Sequence, residues 1–221
     1  MADFTSNLLM YYTCDSQSSG TTSDSSGNGL TGTLNGTVTD VAGHIGNALL
    51  LGTSGSSISC TLTGLITNIW TFACWCHTPA TFTTNNLFET YHSGSDEWSI
   101  YFSSDGVLHL YNSYGDSMSG ASLSTDTTYH ILIAYDGAVG CTIYVNGSVY
   151  QDATFSRVTV WTDGIIYWGA DWSNSSGFRG WLDEIRLYNR RLTIDDAAAL
   201  YAYTGSSPTP TFNRANTFFF G

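Results

Sequence analysis

Short runs of β-branched and aromatic residues recur along this chain, each closed by Gly, Asn, Asp or Ser. That spacing constrains the fold more than any other feature. The runs "TFACWCHT" (71–78), "EWSIYFSS" (97–104), "VLHLYNS" (107–113), "YHILIAYDG" (129–137), "CTIYVNGSVY" (141–150) and "GIIYWGA" (164–170) carry no helical period between them. They predict an all-β chain, a two-sheet antiparallel β-sandwich of the jelly-roll kind, rather than alternating βαβ units. In "CTIYVNGSVY" the pair Asn146-Gly147 marks a type I′ turn between two alternating strands. A period of two also assigns faces. Phe72, Cys74 and Cys76 point one way, opposite Ala73, Trp75 and His77, while Cys141, Ile143 and Val145 point together. Cysteine at such positions reads as a small buried hydrophobe. The five cysteines include no CxxC spacing, so reduced structural thiols are expected.

One short C-terminal helix is expected in "TIDDAAALYAY", with Thr193 as N-cap, Asp196 at the capping-box position and Ala197 to Leu200 propagating it. Beyond it the composition changes to "SSPTPTFNRANTFFFG". The chain therefore divides into a sandwich over residues 1–205 and a tail over 206–221, whose Phe218, Phe219 and Phe220 suit docking onto another protein. The prolines of the spacer stiffen it for that use.

The net charge is −12 and the isoelectric point about 4.3. Such a chain repels phosphate backbones, so nucleic acid is not an expected partner. No stretch approaches the ~20 apolar residues of a membrane span, so no membrane insertion is expected. The N-terminal "MADFTSNLLMYYTCD" has no positive region before its apolar run and does not read as an export signal.

The few basic residues cluster. No lysine is present, and Arg179, Arg186, Arg190 and Arg191 crowd around "WLDEIRLY" (181–188). A strict alternation puts Trp181, Asp183, Ile185 and Leu187 on one face, and Leu182, Glu184, Arg186 and Tyr188 on a solvated one. Asp183 then sits among core neighbours and needs a partner, because an unpaired buried carboxylate is costly. Upstream, "DSSGNG" (24–29) offers oxygens at alternate positions before a glycine, a pattern that suits calcium. Asn35 stands where an EF-hand has its closing glutamate. The site expected from this reading is a structural Ca²⁺ held by Asp24, Asn28 and Asp183 with backbone carbonyls.

Five blocks, "GTTSDSSGNGLTGTLNG", "VAGHIGNALLLGTSGSSIS", "WTFACWCH", "YHILIAYDG" with "TIYVNGSVY", and "GFRGWLDEIRLYNRRLTIDDAAALY", resemble in content and order a concanavalin A-like lectin/glucanase domain of the laminin G type. The resemblance spans about residues 7–203. It implies a sandwich of two curved antiparallel sheets and adds weight to calcium near Asp24–Gly29 and Asp183. Tyr129 before His130 departs from the family's usual tryptophan, and the tail has no counterpart.

That fold hosts glycosidases, glycan-binding modules and scaffolds. A glycosidase needs two carboxylates flanking the scissile bond. The three glutamates, Glu89, Glu97 and Glu184, lie outside the Glu-x-Asp-x-(x)-Glu strand motif of the family's glucanases. Nor do His77, His92, His109 and His130 fall in a catalytic constellation. A non-catalytic, lectin-like domain is therefore expected. Candidate sugar contacts are aromatics beside polar loop residues: Trp98, Tyr114, and Trp172 with Asp171 and Asn174. The missing export signal, the reduced cysteines and the tail together point to display on a virus particle, as a phage capsid decoration or a tail or fibre component. Its partners would be other virion proteins, copies of itself and glycans of the host or environment. The alternatives are a secreted or cell-surface carbohydrate-binding module and, less in keeping with the residues, a glycoside hydrolase.

Overall fold

A computed structural model of the chain describes residues 4–63, 68–91, 98–112, 114–115, 117–138, 140–155, 164–173 and 175–205. The tail with Phe218, Phe219 and Phe220, together with His92, Glu97 and Asn174, lies outside the described residues. Two antiparallel sheets form a sandwich. In the smaller, β15 (Ser148–Thr154), β14 (Gly140–Val145), β13 (Thr128–Asp136), β8 (Ile69–His77), β17 (Trp181–Tyr188), β6 (Asn47–Leu51) and β5 (Val38–Ala42) lie in that order, and β1 (Leu8–Tyr12) adds to β17. In the larger the order is β12 (Ser117–Ser122), β11 (Val107–Asn112), β10 (Trp98–Phe102), β9 (Asn85–Tyr91), β16 (Gly164–Trp168), β7 (Ser57–Leu62), β4 (Gly32–Asn35), β3 (Thr21–Thr22) and β2 (Gln17–Ser18).

Alternation fills the space between the sheets as the sequence predicts. Phe72, Cys74, Cys76, Cys141 and Ile143 join one core cluster with Trp70, Phe88, Trp98 and Trp168. Phe72 and Phe88 stack across the sandwich with centroids 4.6 Å apart. All five cysteines are free and buried. Asn146 and Gly147 both take positive φ, 51° and 75°, as a type I′ turn between β14 and β15 requires. A second cluster, Ala73, Leu132, Ala134, Tyr144 and Tyr188, packs the outer face of the smaller sheet against Leu192, Ala197 and Leu200. Ala197 and Leu200 belong to α1 (Ile194–Tyr201), whose N-cap Thr193 and Asp196 form the reciprocal capping box.

The strict alternation expected of "WLDEIRLY" does not hold. The register of β17 against β8 slips between Asp183 and Arg186, and Glu184 adopts φ 52°. This bulge inserts an extra residue, so that Leu182, Ile185 and Leu187 all reach the core. It is also where β17 changes neighbours: Trp181 and Leu182 pair with β6, whereas Ile185 to Tyr188 pair with β1. Glu184 and Arg186 are consequently not solvated. Each is about 2–3% exposed, and Arg186 Nη2 donates to Glu184 Oε2 at 2.5 Å. Arg190 and Arg191 do lie towards the surface, paired with Asp196 at 3.0 Å and Asp136 at 3.5 Å.

Asp183, fully buried, finds its partners in the β5–β6 loop. Its Oδ2 accepts the backbone N–H groups of His44 and Ile45, both at 2.9 Å, while Oδ1 has no hydrogen-bond partner among the described residues. Burial pushes its carboxyl up to about 7, aided by the Glu184 charge and opposed by the two amides. The unfolded chain ionises this group near pH 4 and the folded chain near pH 7, so the native state holds the extra proton in between. Its stabilising contribution is complete below about pH 4 and is lost as the pH rises to about 7. The melting temperature of the parent, relative to that of Asp183→Asn, should therefore fall from pH 4 to pH 7, by the equivalent of up to ~4 kcal/mol. A constant difference across that range would show that Asp183 titrates normally.

Candidate functional site

The outer face of the larger sheet carries a row of side chains in direct register. Tyr111 faces Ser99, Ser99 faces Glu89, Glu89 faces Tyr167, Tyr167 faces Ser59 and Ser59 faces Thr33, on six successive strands from β11 to β4. Strands lie about 4.8 Å apart, so the row crosses the sheet as a band of hydroxyls and rings interrupted by one carboxylate. At its β4 end a cavity of about 350 Å³ opens between Leu30, Thr33, Ser59, Thr61, Ile165 and Tyr167.

Glu89 is only 5% exposed. A bulge in β9 turns both Leu87 and Phe88 into the core, which brings Asn86 and Glu89 to the same outer face. Asn86 Nδ2 donates to Glu89 Oε2 at 2.7 Å, and the backbone N–H of Trp172 donates to Oε1 at 2.8 Å. The loop after β16 is thus tied to the middle of the sheet. Two further bonds hold it, Asn86 N to Ser176 O at 2.9 Å and Asn85 Nδ2 to Gly177 O at 2.8 Å. Gly169, at φ 83°, begins the loop where a Cβ would lie 1.9 Å from Leu51 Cδ1, so only glycine fits. Trp172 ends half exposed, its ring stacked on Tyr91 at 5.0 Å and 18°. Burial raises the Tyr167 hydroxyl above its usual range, with the neighbouring Tyr91 and Glu89 acting in the same direction.

Of the expected sugar contacts, Trp172 and Asp171 belong to this face. Asp171 shapes the loop: although burial works against its charge, bonds from the Ser175 hydroxyl and amide and from the Ser173 hydroxyl hold its carboxyl below the usual range. Trp98 is a correction. As the first residue of β10 it alternates with Ile100 and Phe102 into the core, where it is 0% exposed and packs on Trp70 at 5.2 Å, Tyr135 at 4.8 Å and Phe155 at 5.5 Å. Tyr114 is exposed on the turn after β11, with β10 and β9 between that strand and β16. Sequence reasoning missed Glu89, Tyr91 and Tyr167. Tyr167 was legible from its alternation with Ile166 and Trp168, but the β9 bulge hid Glu89.

The expected calcium ligands serve separate loops. Asp24 Oδ1 accepts the amides of Tyr11 and Ser26, and Oδ2 accepts the Leu30 amide and the Ser26 hydroxyl. Asn28 Nδ2 donates to the carbonyls of Leu8 and Leu9. Asp183 shares none of these partners, its Oδ2 being taken by His44 and Ile45. Both carboxylate oxygens of Asp24 accept bonds within the chain, and these bonds do not bring the three residues together around one point. Among the described residues no group of three or more His, Cys, Asp or Glu side chains is placed to hold a metal ion. The histidines act locally: His77 bonds Thr128 and Asp126, and His109 bonds Ser103. His130, buried with neither nitrogen bonded among the described residues, is pushed down to about 3 by burial and the nearby Arg186 and His44 charges. No described helix is long and apolar enough to cross a membrane.

The two-sheet antiparallel sandwich is the architecture of concanavalin A-like domains. The chain belongs to the concanavalin A-like lectin/glucanase superfamily, whose laminin G-type family model matches residues 51–198. Among solved structures, domain 4 of the extracellular GH43 arabinanase AbnA from Geobacillus stearothermophilus, seen with arabinotriose, is similar over 88% of this chain and 98% of its own, with a TM-score of 0.70 and 23% identity. The binding domain of Paraclostridial Mosquitocidal Protein 1 gives 0.71 and 20% over 90% of this chain, and Trypanosoma rangeli sialidase in complex with DANA gives 0.71 and 14% over 88%. This chain covers 52% and 32% of those two longer chains. At these identities the likeness shows a shared fold. No curated protein sequence matches the chain.

Glu89→Ala should free the loop without unfolding the sandwich. The Trp172 amide is expected to lose its protection from hydrogen exchange while amides of β8 and β13 keep theirs, at a cost of about 1–3 kcal/mol in stability. Unchanged protection at Trp172 would show that the loop holds itself.

Proposed function

We propose that the chain is a non-catalytic carbohydrate-binding domain that takes its ligand on the outer face of the larger sheet. One observation carries this reading: a half-exposed Trp172, stacked on Tyr91 and fixed through its backbone to Glu89, where Tyr91 and Glu89 of β9 pair with Ile165 and Tyr167 of a hydroxyl-lined cavity. A sugar presents apolar C–H faces and hydroxyls. The Trp172 ring suits the first, and Ser59, Thr33 and Thr61 suit the second. Glu89 is not free for acid–base work while both its oxygens accept bonds from Asn86 and Trp172, which supports binding over hydrolysis. In this reading the domain works outside the cell, as an adhesive module on a particle or on a larger secreted protein. The shared fold of the AbnA domain makes arabino-oligosaccharides a reasonable first probe.

A glycan array should show selective binding by the parent protein. Trp172→Ala should weaken it tenfold or more, about 1.4 kcal/mol, with little change in melting temperature because the ring is half exposed. Arabinan and β-glucans should survive long incubation without release of reducing sugar. An array empty at high protein concentration, or hydrolysis abolished by Glu89→Gln, would overturn the proposal.

A further inference from the structure

We infer that the cavity over Arg186 is a second ligand site, on the opposite side of the molecule, for a small monocarboxylate with an apolar body. The cavity measures about 240 Å³, and its walls include Phe4, Leu8, Tyr11, Ser25, Arg186 and Tyr203. It lies on the outer face of the smaller sheet, where Arg186 pairs across to Tyr11 of β1 and Ala73 of β8. Pockets for drug-sized ligands run about 300–1,000 Å³, so this one selects a smaller molecule.

Arg186 supplies the polar end. It is 3% exposed, and its guanidinium carbon sits 4.1 Å from the Tyr11 ring centroid and 5.1 Å from that of Tyr203. The chain uses its Nη2 for Glu184 Oε2 and, at 3.4 Å, its Nη1 for the Glu184 carbonyl. A guanidinium has five N–H donors in a planar fork, so donors remain for which the described residues supply no acceptor. That fork matches a carboxylate in two-point contact. Glu184 is held in turn by the Tyr11 hydroxyl, at 2.9 and 2.7 Å from its two oxygens. Its positive-φ backbone, which the bulge imposes, is the kind of strain that collects at binding sites.

Charge and shape narrow the ligand further. Because Glu184 already balances Arg186, a monoanion adds one uncompensated charge to a poorly solvated place, whereas a phosphate dianion adds two. Phe4 and Tyr203, edge to face at 5.6 Å, form an apolar wall for the rest of the molecule.

The test titrates the full chain with benzoate, using benzyl alcohol and inorganic phosphate as controls, by calorimetry and by the NMR signal of the Arg186 Nε–H. Saturable benzoate binding is expected, with a shift of that signal and no binding of either control. Affinity should fall at least tenfold in Arg186→Lys and in Tyr203→Ala, and stay unchanged in Trp172→Ala, which separates this site from the carbohydrate face. Should Arg186→Lys fail to fold, Tyr203→Ala decides the matter. Failure of benzoate to saturate overturns the inference. So does equal binding of benzyl alcohol, which would mean an apolar cavity only, or equal binding of phosphate, which would mean an adventitious anion only.

Discussion

The bulge at Asp183–Glu184 is the constraint on which the smaller sheet depends. β17 lies in the middle of that sheet and must serve β6 with its first half and β1 with its second, while β8 runs along both. A regular strand would keep one partner on each edge throughout. The extra residue re-aims the strand, and the two acidic side chains at that point fasten what the bulge separates. Asp183 reaches to the β5–β6 loop through two backbone amides, and Glu184 reaches to β1 through the Tyr11 hydroxyl. A positive φ at a non-glycine residue costs of order 1–3 kcal/mol. That cost is offset because both carboxylates satisfy donors which burial would otherwise leave unpaired.

The larger sheet solves a different problem with the same device. The bulge in β9 lets two successive residues, Leu87 and Phe88, fill the core, and as a consequence Asn86 and Glu89 fall on the same side of the strand. A nearly buried carboxylate on a sheet face needs donors. Asn86 gives one, and the loop bearing Trp172 gives the other. The demand of one buried group thus fixes the position of an exposed ring, and the loop that carries it is tied to the sheet beneath.

What the sequence revealed divides along the same line. Regular alternation was legible wherever it continued undisturbed: the faces of β8 and β14, the Asn146-Gly147 turn and the Thr193 capping box all follow from local chemistry. The need of Asp183 for a partner was also legible, though not that the partner would be two main-chain amides, because those become donors only once the β5–β6 loop has folded. The bulges were not legible, since an extra residue changes the faces on one side of it without altering composition. Glu184 and Arg186 therefore looked solvated and proved buried, and Glu89 gave no sign of lying beneath the loop that carries Trp172. Trp98 failed for a simpler reason. Flanking polar residues suggested a loop, but its spacing from Ile100 and Phe102 already placed it inside.

The two faces are separated by the packed interior. Trp70, Phe72, Phe88 and Trp168 are fully buried, and rings from opposite sheets stack directly, as Phe72 does on Phe88. Protein interiors of this kind are close-packed, and transmit a change only where an alternative packing exists. Here the anchoring groups on each side are held without reference to the other: Glu89 by Asn86 and Trp172, and Arg186 through its ion pair with Glu184. The two proposed sites share no group that a ligand on one face would release, so no coupling between them is expected, as for distant sites without common partners. The sandwich is in that sense a rigid partition, and each sheet presents its own chemistry to the outside.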